Sequence, residues 1–507
     1  MNRDEWLNRA RDRSEPYDFI VIGGGATGAG VALDAAARGF DVLLVEAKDF
    51  GSGTSSRSSK LVHGGVRYLA QGHVGLVRES LQERAQMYEN APHLVSKLPL
   101  LVPASNLLEL ARFWIGLKIY DWLSGPASFG RSRYLSRKKL RERMPAIADA
   151  GLAGAVEYFD GQFDDARYII DLLKTASTFG AIPLNYCSVI DLKKNDVGRV
   201  EGVEVVDFLS NESFEASARV VVNATGPFAD RIARLDNPDA PTMISPSQGV
   251  HLVVDRRFLP GDDGLLIPET PDGRIMFALP WHEHVVIGTT DTALMSTPRD
   301  PIAQAGEIEM ILETAGRYLN PAPEASDILA LFAGVRPLPR GDTRATAKLS
   351  REHSISVSAS GLISVTGGKW TTYRQMAEDC VDRAIATNNL REVPCPTLSL
   401  KLLQSDEAEK LAREDPNLAA ALHVDLPYCA ADYVAAARDE MAVTLEDVLA
   451  RRTRALILNA GAALECAPAV AELVGSELGW DRARQELELA EFARAAANYQ
   501  APSADKN

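Results

Sequence analysis

Apolar and polar positions in the N-terminal part of the chain follow an order that predicts strand, turn, helix and strand. The largely apolar run DFIVI (18–22) is typical of a buried parallel strand, and the glycine-rich turn GGGATG (23–28) follows it. An alanine-rich stretch then predicts a helix that ends at Gly39, and DVLLVE predicts a second strand that ends at Glu46. This order predicts a βαβ unit at the start of a parallel sheet.

The middle of the chain has the pattern of successive short strands, and the C-terminal part has the pattern of helices. Segment 181–230 predicts several strands and ends in VVVNATG, an apolar strand that leads into a turn of small residues. Apolar runs between 250 and 290 predict antiparallel strands, and 354–368 predicts a hairpin followed by a helix. From about 395 to Tyr499, Ala, Glu, Leu and Arg dominate in a helical pattern. The chain is therefore expected to combine α/β and α+β parts with a helical C-terminal domain.

Length and composition narrow the class of protein. A chain of 507 residues exceeds one ordinary core, so about two or three domains are expected. The net charge of −15 argues against a general nucleic-acid binder, because such a surface repels phosphate backbones. The five cysteines form no CxxC pair, which indicates reduced thiols in a cytoplasmic compartment and neither a disulfide framework nor a metal site. A charged N-terminus without an apolar core, and no run of 18 apolar residues, predict neither a signal peptide nor a membrane-spanning helix.

The turn after the first strand has the spacing of a dinucleotide-binding fingerprint. Gly23 permits the tight turn, Gly25 lets the backbone approach a pyrophosphate, and Gly28 lets helix and strand pack closely. The helix N-terminus that follows offers free N–H groups to the diphosphate. Glu46 lies 18 residues after Gly28, where a carboxylate accepts hydrogen bonds from an adenosine ribose and disfavours a 2′-phosphate. The sequence therefore predicts a bound dinucleotide other than NADP, whereas a tight turn that binds nothing does not need Glu46.

Segment 58–69, SSKLVHGGVRYL, holds more hydrogen-bonding groups than a plain connection needs. Its flank, GSGTSSRSS, is flexible, and ordering such a stretch costs conformational entropy that a bound ligand can offset. The hypothesis is that backbone and hydroxyl groups of residues 58–60 contact the cofactor. The alternative is a solvated loop whose hydroxyls bond the local backbone.

Six motifs between residues 17 and about 390 resemble those of the FAD-dependent sn-glycerol-3-phosphate dehydrogenases, the aerobic, membrane-associated family. They are IGGGATGAG (22–30), GTSSRSSKLVHGGVRYL (53–69), VVNATGPFAD (221–230), PWHEHVVIGTTDT (280–292), AGVRPL (333–338) and GGKWTTYR (367–374). In the C-terminal part, TLEDVLARRTRA (444–455) also fits the family. KLVHGG combined with GVRPL and GGK-x-TTYR is specific, whereas the glycine fingerprint alone is not.

The resemblance implies a glutathione-reductase-type FAD-binding fold, a discontinuous Rossmann-like domain. This domain is expected to comprise 17–105, 151–240 and 333–390. An antiparallel-sheet substrate-binding (cap) domain is expected over 106–150 and 241–332, followed by the helical domain over 395–507.

FAD is the cofactor that the resemblance implies. Together with the fingerprint, it implies contacts to FAD from Gly23, Gly25, Ala26, Thr27, Gly28, Glu46, Ser58, Ser59, Lys60, Leu61, His63, Gly64, Gly65, Ala224, Thr225, Gly226, Gly334, Gly367, Gly368 and Lys369.

The resemblance also implies a reaction, in which glycerol 3-phosphate is oxidised at C2 to dihydroxyacetone phosphate and membrane quinone (ubiquinone or menaquinone) reoxidises the cofactor. A phosphate with nearly two negative charges requires arginine forks and a lysine charge. The substrate residues implied are Arg67, Tyr68, Arg351, Lys369 and Thr372. The sequence around Arg351, SREHSI, lacks the aromatic-rich context of the family, which weakens its assignment.

Three residues are candidates for the chemistry at C2. Arg336, in GVRPL, resembles the family arginine near the C2 hydroxyl, where a guanidinium can stabilise the developing alkoxide. Two histidines compete as the base that accepts the hydroxyl proton. His63 lies in the polar segment, close to the expected flavin ring, and His251 matches the family histidine of the substrate domain. A lone histidine in a strand is more often structural, but the resemblance favours His251 over His63.

Two neighbouring segments suggest contact with a membrane. LLELARFWIGLKIYDWL (107–123) is amphipathic and aromatic-rich, and RSRYLSRKKLRER (131–143) carries seven basic residues and one acidic residue. Such a combination binds anionic lipid headgroups and suits an electron acceptor dissolved in lipid. The sequence therefore predicts peripheral association with the inner face of the cytoplasmic membrane. The alternative is a helix packed on the substrate domain with a solvated basic face.

Other functions stay open on sequence alone. A glycerol-3-phosphate oxidase would pass the electrons to oxygen, but those relatives carry an insertion in the substrate region that this chain lacks. An amine or hydroxy-acid oxidase would keep the FAD motifs without Arg67, Arg336, Arg351 and Lys369. A non-catalytic flavin-bearing protein would use its C-terminal helices to bind a partner. A homodimer is compatible with the sequence, which does not determine the oligomeric state.

Overall fold

The computed structural model describes residues 1–148, 151–270, 273–340 and 353–502. Arg351 lies outside the described residues, so its assignment stays a prediction. The strands are β1 (Tyr17–Ile22), β2 (Val42–Val45), β3 (Leu61–Val62), β4 (Val95–Ala104), β5 (Arg133–Ser136), β6 (Gly154–Phe163), β7 (Ile182–Leu184), β8 (Cys187–Lys194), β9 (Val200–Asp207), β10 (Glu212–Asn223), β11 (Ile244–Asp255), β12 (Gly264–Ile267), β13 (Met276–Trp281), β14 (His284–Gly288), β15 (Thr292–Ala293), β16 (Ile328–Pro339), β17 (His353–Val357) and β18 (Ile363–Gly367). The α-helices are α1 (Arg3–Arg11), α2 (Ala26–Ala37), α3 (Val66–Ala70), α4 (Val74–Asn90), α5 (Leu107–Ser124), α6 (Arg137–Arg143), α7 (Asp165–Thr178), α8 (Ala229–Asp236), α9 (Ala305–Gly316), α10 (Tyr373–Asn388), α11 (Glu407–Glu414), α12 (Ala430–Asp439), α13 (Ala455–Leu458), α14 (Ala460–Leu478) and α15 (Arg482–Ala496).

The first sheet contains the predicted βαβ unit. Its strands lie in the order β17-β18-β10-β1-β2-β7, and β8 and β9 extend it beyond β10. β1 pairs in parallel with both β2 and β10. Phe19 and Val21 pack in the same core as α2, whereas Ile20 and Ile22 face a second core on the opposite side of the sheet. Because both faces are covered, β1 is apolar almost throughout, as its sequence predicts.

The second sheet is mainly antiparallel and carries part of the predicted site. Its strands lie in the order β15-β11-β14-β13-β12-β4-β6-β3, with β16 beside β11 and β5 beside β6. The antiparallel strands expected between 250 and 290 are β11, β13 and β14. In the register of β11 with β16, His251 lies opposite Phe332 and Ser247 lies opposite Arg336. This strand pair therefore positions the two residues expected to act at C2.

Several strands do not follow the predicted domain boundaries. Those boundaries placed 17–105, 151–240 and 333–390 in the FAD-binding domain, but β3, β4, β6 and the C-terminal half of β16 belong to the second sheet. The discrepancy arises because an apolar run indicates that a strand is buried but does not identify the strand it pairs with. β4, for example, pairs with β6 and β12, which lie in distant parts of the chain.

The C-terminal part is helical, as its pattern predicts. Its helices α12 to α15 and a π-helical turn, Asp447–Arg452, share one core with Ala330 and Phe332 of β16. The C-terminal helices therefore pack directly against the second sheet. The first of them, α11, begins at Glu407 rather than near 395. Within the described ranges, no helix is both long enough and apolar enough to cross a bilayer.

Candidate active site

Two turns of small residues meet at the carboxyl ends of β1 and β10. Gly23 has a φ of +110°, which side chains other than that of glycine rarely permit. A Cβ on Gly23 would lie 2.7 Å from the carbonyl oxygen of Ala224, at the start of the turn 224–226. A Cβ on Gly28 would overlap the carbonyl oxygen of Gly23. The glycines thus allow β1, the first turn of α2 and the turn 224–226 to approach one another, as the fingerprint predicts.

The Glu46 carboxylate lies beside the glycine turn, at the end of β2. Its Oε2 accepts a hydrogen bond from the Gly24 N–H at 2.7 Å, and its Oε1 accepts one from the Lys48 N–H at 2.9 Å. Burial raises the pKa of Glu46, and these two N–H groups oppose the rise. The carboxylate therefore lies where the sequence places an acceptor for a ribose.

The N-terminus of α2 is bounded by the serine-rich flank of the polar segment. The Ala26 N–H donates to Ser55 Oγ at 3.0 Å, and a Cβ on Gly25 would touch the same oxygen. Trp370 Nε1 donates to the carbonyl oxygen of Ser55 at 2.8 Å. Ser55 is not among the predicted contacts, although it lies in the flank that the sequence marks as unusual. The glycine turn, the helix N-terminus and the ribose-side carboxylate together fit a dinucleotide.

The side chains of Ser58 and Lys60 are directed to Asp165, at the start of α7, rather than left for a ligand. Ser58 Oγ donates to Asp165 Oδ2 at 2.6 Å, and Lys60 Nζ donates to the same oxygen at 2.7 Å. Lys60 and Asp165 are both fully buried. These two side chains are thus engaged by Asp165, and the contact of residues 58–60 with the cofactor stays a prediction. The sequence did not identify Asp165, because no local pattern links it to the segment.

Ser59, between those two residues, contacts His251 instead. Ser59 Oγ and His251 Nε2 lie 2.7 Å apart, in a hydrogen bond. The imidazole stacks on the ring of Phe332, with centroids 4.8 Å apart and an interplanar angle of 15°. On its other side the ring passes so close to Gly288 that a Cβ there would collide with it, at 2.5 Å. His251 is thus held in one orientation by a hydrogen bond, a stacked ring and a glycine.

Arg336 reaches across the β11–β16 pair toward the same place. Its Nη2 donates to Thr289 Oγ1 at 3.0 Å, and its Nη1 lies 3.3 Å from the carbonyl oxygen of Gln248 and 3.4 Å from Asp291 Oδ1. A Cβ on Gly249 would overlap the guanidinium, so glycine is required where Arg336 crosses β11. These contacts fix the position of the guanidinium before any ligand binds.

The surroundings of His251 favour its neutral form. Burial lowers its pKa well below 6.5, and the positive charges of Arg336 and Lys60 lower it further. Its Nδ1 is buried and has no hydrogen-bond partner among the described protein atoms. A neutral imidazole is in the protonation state that a general base requires.

A second group of cations gathers at the far end of the polar segment. Lys369 Nζ lies 4.3 Å from the ring centroid of Tyr68, and the Arg67 guanidinium lies 5.4 Å from the same centroid. Lys369 Nζ also donates to Ser80 Oγ at 3.0 Å. A Cβ on Gly65, whose φ is +82°, would approach Lys369 Nζ to 3.5 Å. The structure thus brings together three of the predicted substrate residues, although about 300 positions of sequence separate Arg67 from Lys369.

The middle of the segment is held mainly through its backbone. The His63 N–H donates to Thr371 Oγ1 at 3.2 Å, and the Gly64 N–H donates to the Tyr120 hydroxyl at 2.8 Å. Leu61, in β3, is buried. Thr372 is buried too, and its hydroxyl donates to the carbonyl oxygen of Lys369 at 3.3 Å, so the structure places it within the turn rather than on an open face.

Glycines also shape the other side of the site. Gly367 and Gly368 have φ values of +74° and +80°, and a Cβ on Gly368 would collide with Met376. A Cβ on Gly334 would lie 3.0 Å from Arg57 Cβ. Gly334 therefore lets β16 approach the serine-rich flank, and Gly368 lets the turn before α10 pack closely on that helix.

Comparison with known proteins agrees with this geometry. A family model described as FAD dependent oxidoreductase matches residues 18–374, and one described as the C-terminal domain of alpha-glycerophosphate oxidase matches residues 402–485. The mitochondrial glycerol-3-phosphate dehydrogenase of Macaca fascicularis is 40% identical over 96% of this chain and 74% of its own length. A mitochondrial glycerol-3-phosphate dehydrogenase of Arabidopsis thaliana is 39% identical over 95% of this chain and 86% of its own length.

A solved structure gives the same result for the fold. The glycerol-3-phosphate dehydrogenase from Bacillus halodurans, complexed with FAD, has a TM-score of 0.78 and 29% identity, covering 100% of this chain and 99% of its own. The expected FAD-binding fold and helical C-terminal domain are thereby confirmed, whereas the second sheet, expected to be antiparallel, also contains the parallel pair β4–β12. The chain belongs to the FAD-dependent oxidoreductases and, within them, to the glycerol-3-phosphate dehydrogenase family.

Proposed function

We propose that the protein oxidises sn-glycerol 3-phosphate at C2 to dihydroxyacetone phosphate, with FAD as hydride acceptor, and passes the electrons to a membrane quinone. The observation that carries the proposal is the placement of two groups of residues on one polar segment. Ser59, near its start, contacts His251, which has Arg336 as a charged neighbour. Gly65 to Tyr68, near its end, meet Lys369. One group suits a hydroxyl carbon and the other suits a phosphate.

The phosphate end is supported by charge. Arg67 and Lys369 contribute two positive charges around the Tyr68 ring, in a protein whose net charge is −15. A phosphate monoester carries nearly two negative charges and is recognised by a guanidinium fork together with a lysine ammonium. The pair therefore balances the charge of glycerol 3-phosphate and selects against neutral polyols.

The hydroxyl end is supported by the state of His251. Because its pKa lies well below 6.5, the imidazole is neutral at physiological pH and can accept the proton of the C2 hydroxyl. Arg336 cannot give up its proton, so its guanidinium stabilises the negative charge that develops on the C2 oxygen. The glycine turn and Glu46 would hold FAD, which would supply a two-electron acceptor for the hydrogen of C2. The proton of the C2 hydroxyl and the hydrogen of C2 then each have an acceptor.

The quinone part of the proposal is supported by a surface that includes one face of α5. Leu108, Ile115, Ile119 and Trp122 lie on that face and are exposed, Trp122 by 76%. Leu108 lies in the first turn of α5 and Trp122 in its last turn, so the exposed apolar face runs nearly the whole length of the helix. Quinones dissolve in lipid, and an apolar helix face with a basic neighbour binds at an anionic lipid interface.

The basic neighbour is tied to α5 by hydrogen bonds. Lys118 Nζ donates to the carbonyl oxygen of Ser132, and Ser132 Oγ donates to Asp121 Oδ1 at 2.8 Å. The exposed basic residues that follow are Arg131, Arg133, Arg137, Lys138, Lys139 and Arg141. Arg143, the last basic residue of the segment, is instead paired with Asp263 and Glu157. We propose peripheral attachment through this surface to the cytoplasmic face of a membrane.

Anaerobic mixing tests the reaction. Glycerol 3-phosphate added to the oxygen-free FAD-loaded protein is expected to bleach the flavin absorbance near roughly 450 nm. Glycerol, glycine and a 2-hydroxy acid at the same concentration serve as comparisons, and bleaching by one of these instead would point to another oxidase class. One portion of the reduced protein is then mixed with a water-soluble quinone analogue and another with oxygen. Reoxidation that is fast with oxygen and slow with the quinone would replace the dehydrogenase by an oxidase.

Vesicle sedimentation tests the membrane surface. The protein is expected to sediment with anionic vesicles at low salt and not with neutral vesicles, because a basic segment attracts anionic headgroups within a Debye length. Replacing Arg131, Arg133, Lys138 and Lys139 by glutamine should abolish this binding. A matched control replaces the exposed Arg482 and Arg494 of α15. Equal loss of binding in the control would assign the attraction to net charge rather than to this surface.

A further inference from the structure

A cluster of buried charges lies beneath the polar segment and includes a residue of the C-terminal helical part. Asp165 pairs with Lys60 at 2.7 Å and with Arg454 at 3.0 Å, and the side chains of all three are fully buried. Burial alone would raise the pKa of Asp165, but Lys60 and Arg454 outweigh it and hold the pKa below the ordinary value. Burying three charges is costly unless geometry and hydrogen bonds are complete. Such a cluster calls for a role beyond packing.

The cluster holds the backbone of residues 56–60. The carbonyl oxygen of Ser56 accepts hydrogen bonds from Lys60 Nζ at 2.8 Å and from Arg454 Nη2 at 2.7 Å. The backbone N–H of Ser58 donates to Asp165 Oδ2 at 3.1 Å. Lys60 itself has a φ of +60°, a conformation that a non-glycine residue keeps only when its surroundings enforce it. Both neighbours of Ser59 are thus fixed by Asp165.

Ser59 in turn determines how His251 is presented. Its hydroxyl lies 2.7 Å from His251 Nε2, and Nδ1 has no partner among the described protein atoms. A second support of the imidazole is the ring of Phe332, and Lys60 Nζ lies 5.0 Å from the centroid of that ring. The buried cluster therefore holds the residues on both sides of Ser59 and lies against Phe332, two of the groups that orient the imidazole.

We propose that Ser59 orients His251 and that Asp165 and Arg454 are positioning residues that act through Ser59. The inference rests on the proposed function, in which His251 accepts the proton of the C2 hydroxyl. It gives the C-terminal helical part a share in the site, because Arg454 at the start of α13 completes the cluster. A C-terminal part that served only to bind a partner would not need an arginine buried beneath the polar segment.

The proposed role of Arg454 depends on the geometry of its guanidinium group. Arg454 donates to the carbonyl oxygens of Ala450 and Ser56 and to Asp165, at 2.8, 2.7 and 3.0 Å. A lysine at this position keeps the charge, but all its donors lie on one nitrogen, so it cannot take the separate positions of Nη1, which bonds Ala450, and Nη2, which bonds Ser56 and Asp165. Arg454→Lys should therefore loosen residues 56–60 without leaving Asp165 facing an uncompensated environment.

The first test concerns Ser59. Ser59→Ala, in the FAD-loaded protein, is expected to slow anaerobic flavin reduction at saturating glycerol 3-phosphate by about 10–100-fold, with KM and FAD content unchanged, because general-base catalysis contributes about 10²–10⁴-fold and only its geometry is impaired. Ser59→Thr keeps the hydroxyl and should remain within about 3-fold of the wild type. A rate for Ser59→Ala within about 3-fold of the wild type overturns the proposal. Loss of FAD in that variant also overturns it, because Ser59 would then be a cofactor ligand.

The second test concerns Arg454 and has a matched control. Arg452 is also buried and joins the C-terminal part to the N-terminal part, but among the described residues it pairs with Asp49 and donates to the carbonyl oxygen of Glu440, rather than to Asp165 or Ser56. Arg454→Lys is expected to slow flavin reduction about 10-fold, whereas Arg452→Lys should retain the wild-type rate even where it lowers Tm. Equal effects of the two variants would overturn the role of Arg454. Should Arg454→Lys not fold, Ser58→Ala removes a bond to the same Asp165 and takes its place, with the same expected result.

The double variant shows whether Arg454 acts through Ser59 or affects the rate of flavin reduction independently of it. Residues that act through one group are non-additive, so Ser59→Ala with Arg454→Lys should be no slower than Ser59→Ala alone. Multiplied effects would overturn the path through Ser59. Failure of the proposed function looks different, because the wild-type flavin would then not be reduced by glycerol 3-phosphate at all. A reducible wild type with unaffected variants contradicts only the positioning role.

Discussion

Replacement of Arg336 by alanine is the most direct test of the chemistry at C2. The guanidinium is held by Thr289, Gln248 and Asp291, and its side chain is 20% exposed. None of these partners belongs to the glycine turn or to the helix N-terminus that fit FAD. The substitution should therefore remove a charge from the reacting end of the substrate and leave cofactor binding intact.

The size of the effect follows from the charge and its surroundings. A unit charge about 4 Å from a developing alkoxide contributes about 4 kcal/mol at an effective dielectric constant of about 20. Loss of one donor to an oxyanion costs about 2.7–4 kcal/mol in enzymes where it has been removed. Asp291, 3.4 Å from Nη1, neutralises part of the charge, which favours the lower end of the range. Flavin reduction should therefore slow by about 100-fold, equivalent to about 2.7 kcal/mol.

Rapid anaerobic mixing measures this rate directly. The rate of flavin bleaching is followed at several concentrations of glycerol 3-phosphate, so that the limiting rate and the apparent affinity separate. Arg336→Ala should lower the limiting rate and change the affinity little. Arg336→Lys keeps the positive charge but lacks the planar guanidinium. Its limiting rate of flavin reduction should therefore fall only about 10-fold.

Arg257, an exposed arginine outside the site, provides the control for Arg336. Arg257 lies just after β11, pairs with Asp327 at 2.6 Å and is 64% exposed, so Arg257→Ala should reduce flavin at the wild-type rate. A limiting rate for Arg336→Ala within about 5-fold of the wild type would refute the stabilisation of an alkoxide by Arg336, since about 1 kcal/mol or less would then be involved. Loss of FAD from the variant would instead assign Arg336 to cofactor binding.

Three other substitutions or conditions test separate parts of the site. Arg67→Ala should raise KM for glycerol 3-phosphate at least 10-fold with a nearly constant limiting rate, and an unchanged KM in steady-state assays would remove Arg67 from the phosphate site. Because burial and Arg336 lower the pKa of His251, the wild-type reduction rate should stay level as pH falls through 6.5. The acid limb should move to higher pH in Arg336→Gln, since loss of a neighbouring positive charge raises the pKa of an imidazole, and a stopped-flow pH series without such a move would contradict this. Gly64→Ala should lower the free energy of unfolding by about 1–3 kcal/mol in a denaturant titration, because a Cβ would lie 2.5 Å from the Tyr120 hydroxyl oxygen.

A large part of the cofactor site could be predicted from local sequence. The predicted roles of Gly23, Gly28 and Glu46 depend on a strand, a turn and a helix that follow one another within about 30 residues. Their spacing in the sequence therefore predicts their relative positions. The structure shows that geometry in the close approach of Gly28 to Gly23 and in the hydrogen bond from Gly24 to Glu46. The helical C-terminal part could be predicted equally well, because its amphipathic pattern is also local.

Residues far apart in sequence were predictable only where a family motif marked them. Arg67 and Lys369 were expected at one site because each stands in a recognisable motif, and the structure places both beside Tyr68. Spacing gives no reason for them to meet, since about 300 residues intervene. Ser55 lies within the motif of residues 53–69 but was not singled out there, and Asp165 carries no such mark, so the structure alone identified its contact with the segment.

By itself the sequence determined the glycine turn, the position of Glu46 after a strand, the helical C-terminal part and the identity of the residues in the family motifs. Tertiary structure alone decided which sheet β4, β6 and β16 join and which partner each polar side chain of segment 58–60 has. The physical reason is that burial removes water from these groups, so each must bond to whatever atom packing brings within reach. Lys60, predicted at the flavin, is paired with Asp165 for that reason, and Arg454 reaches the same carboxylate from the other end of the chain.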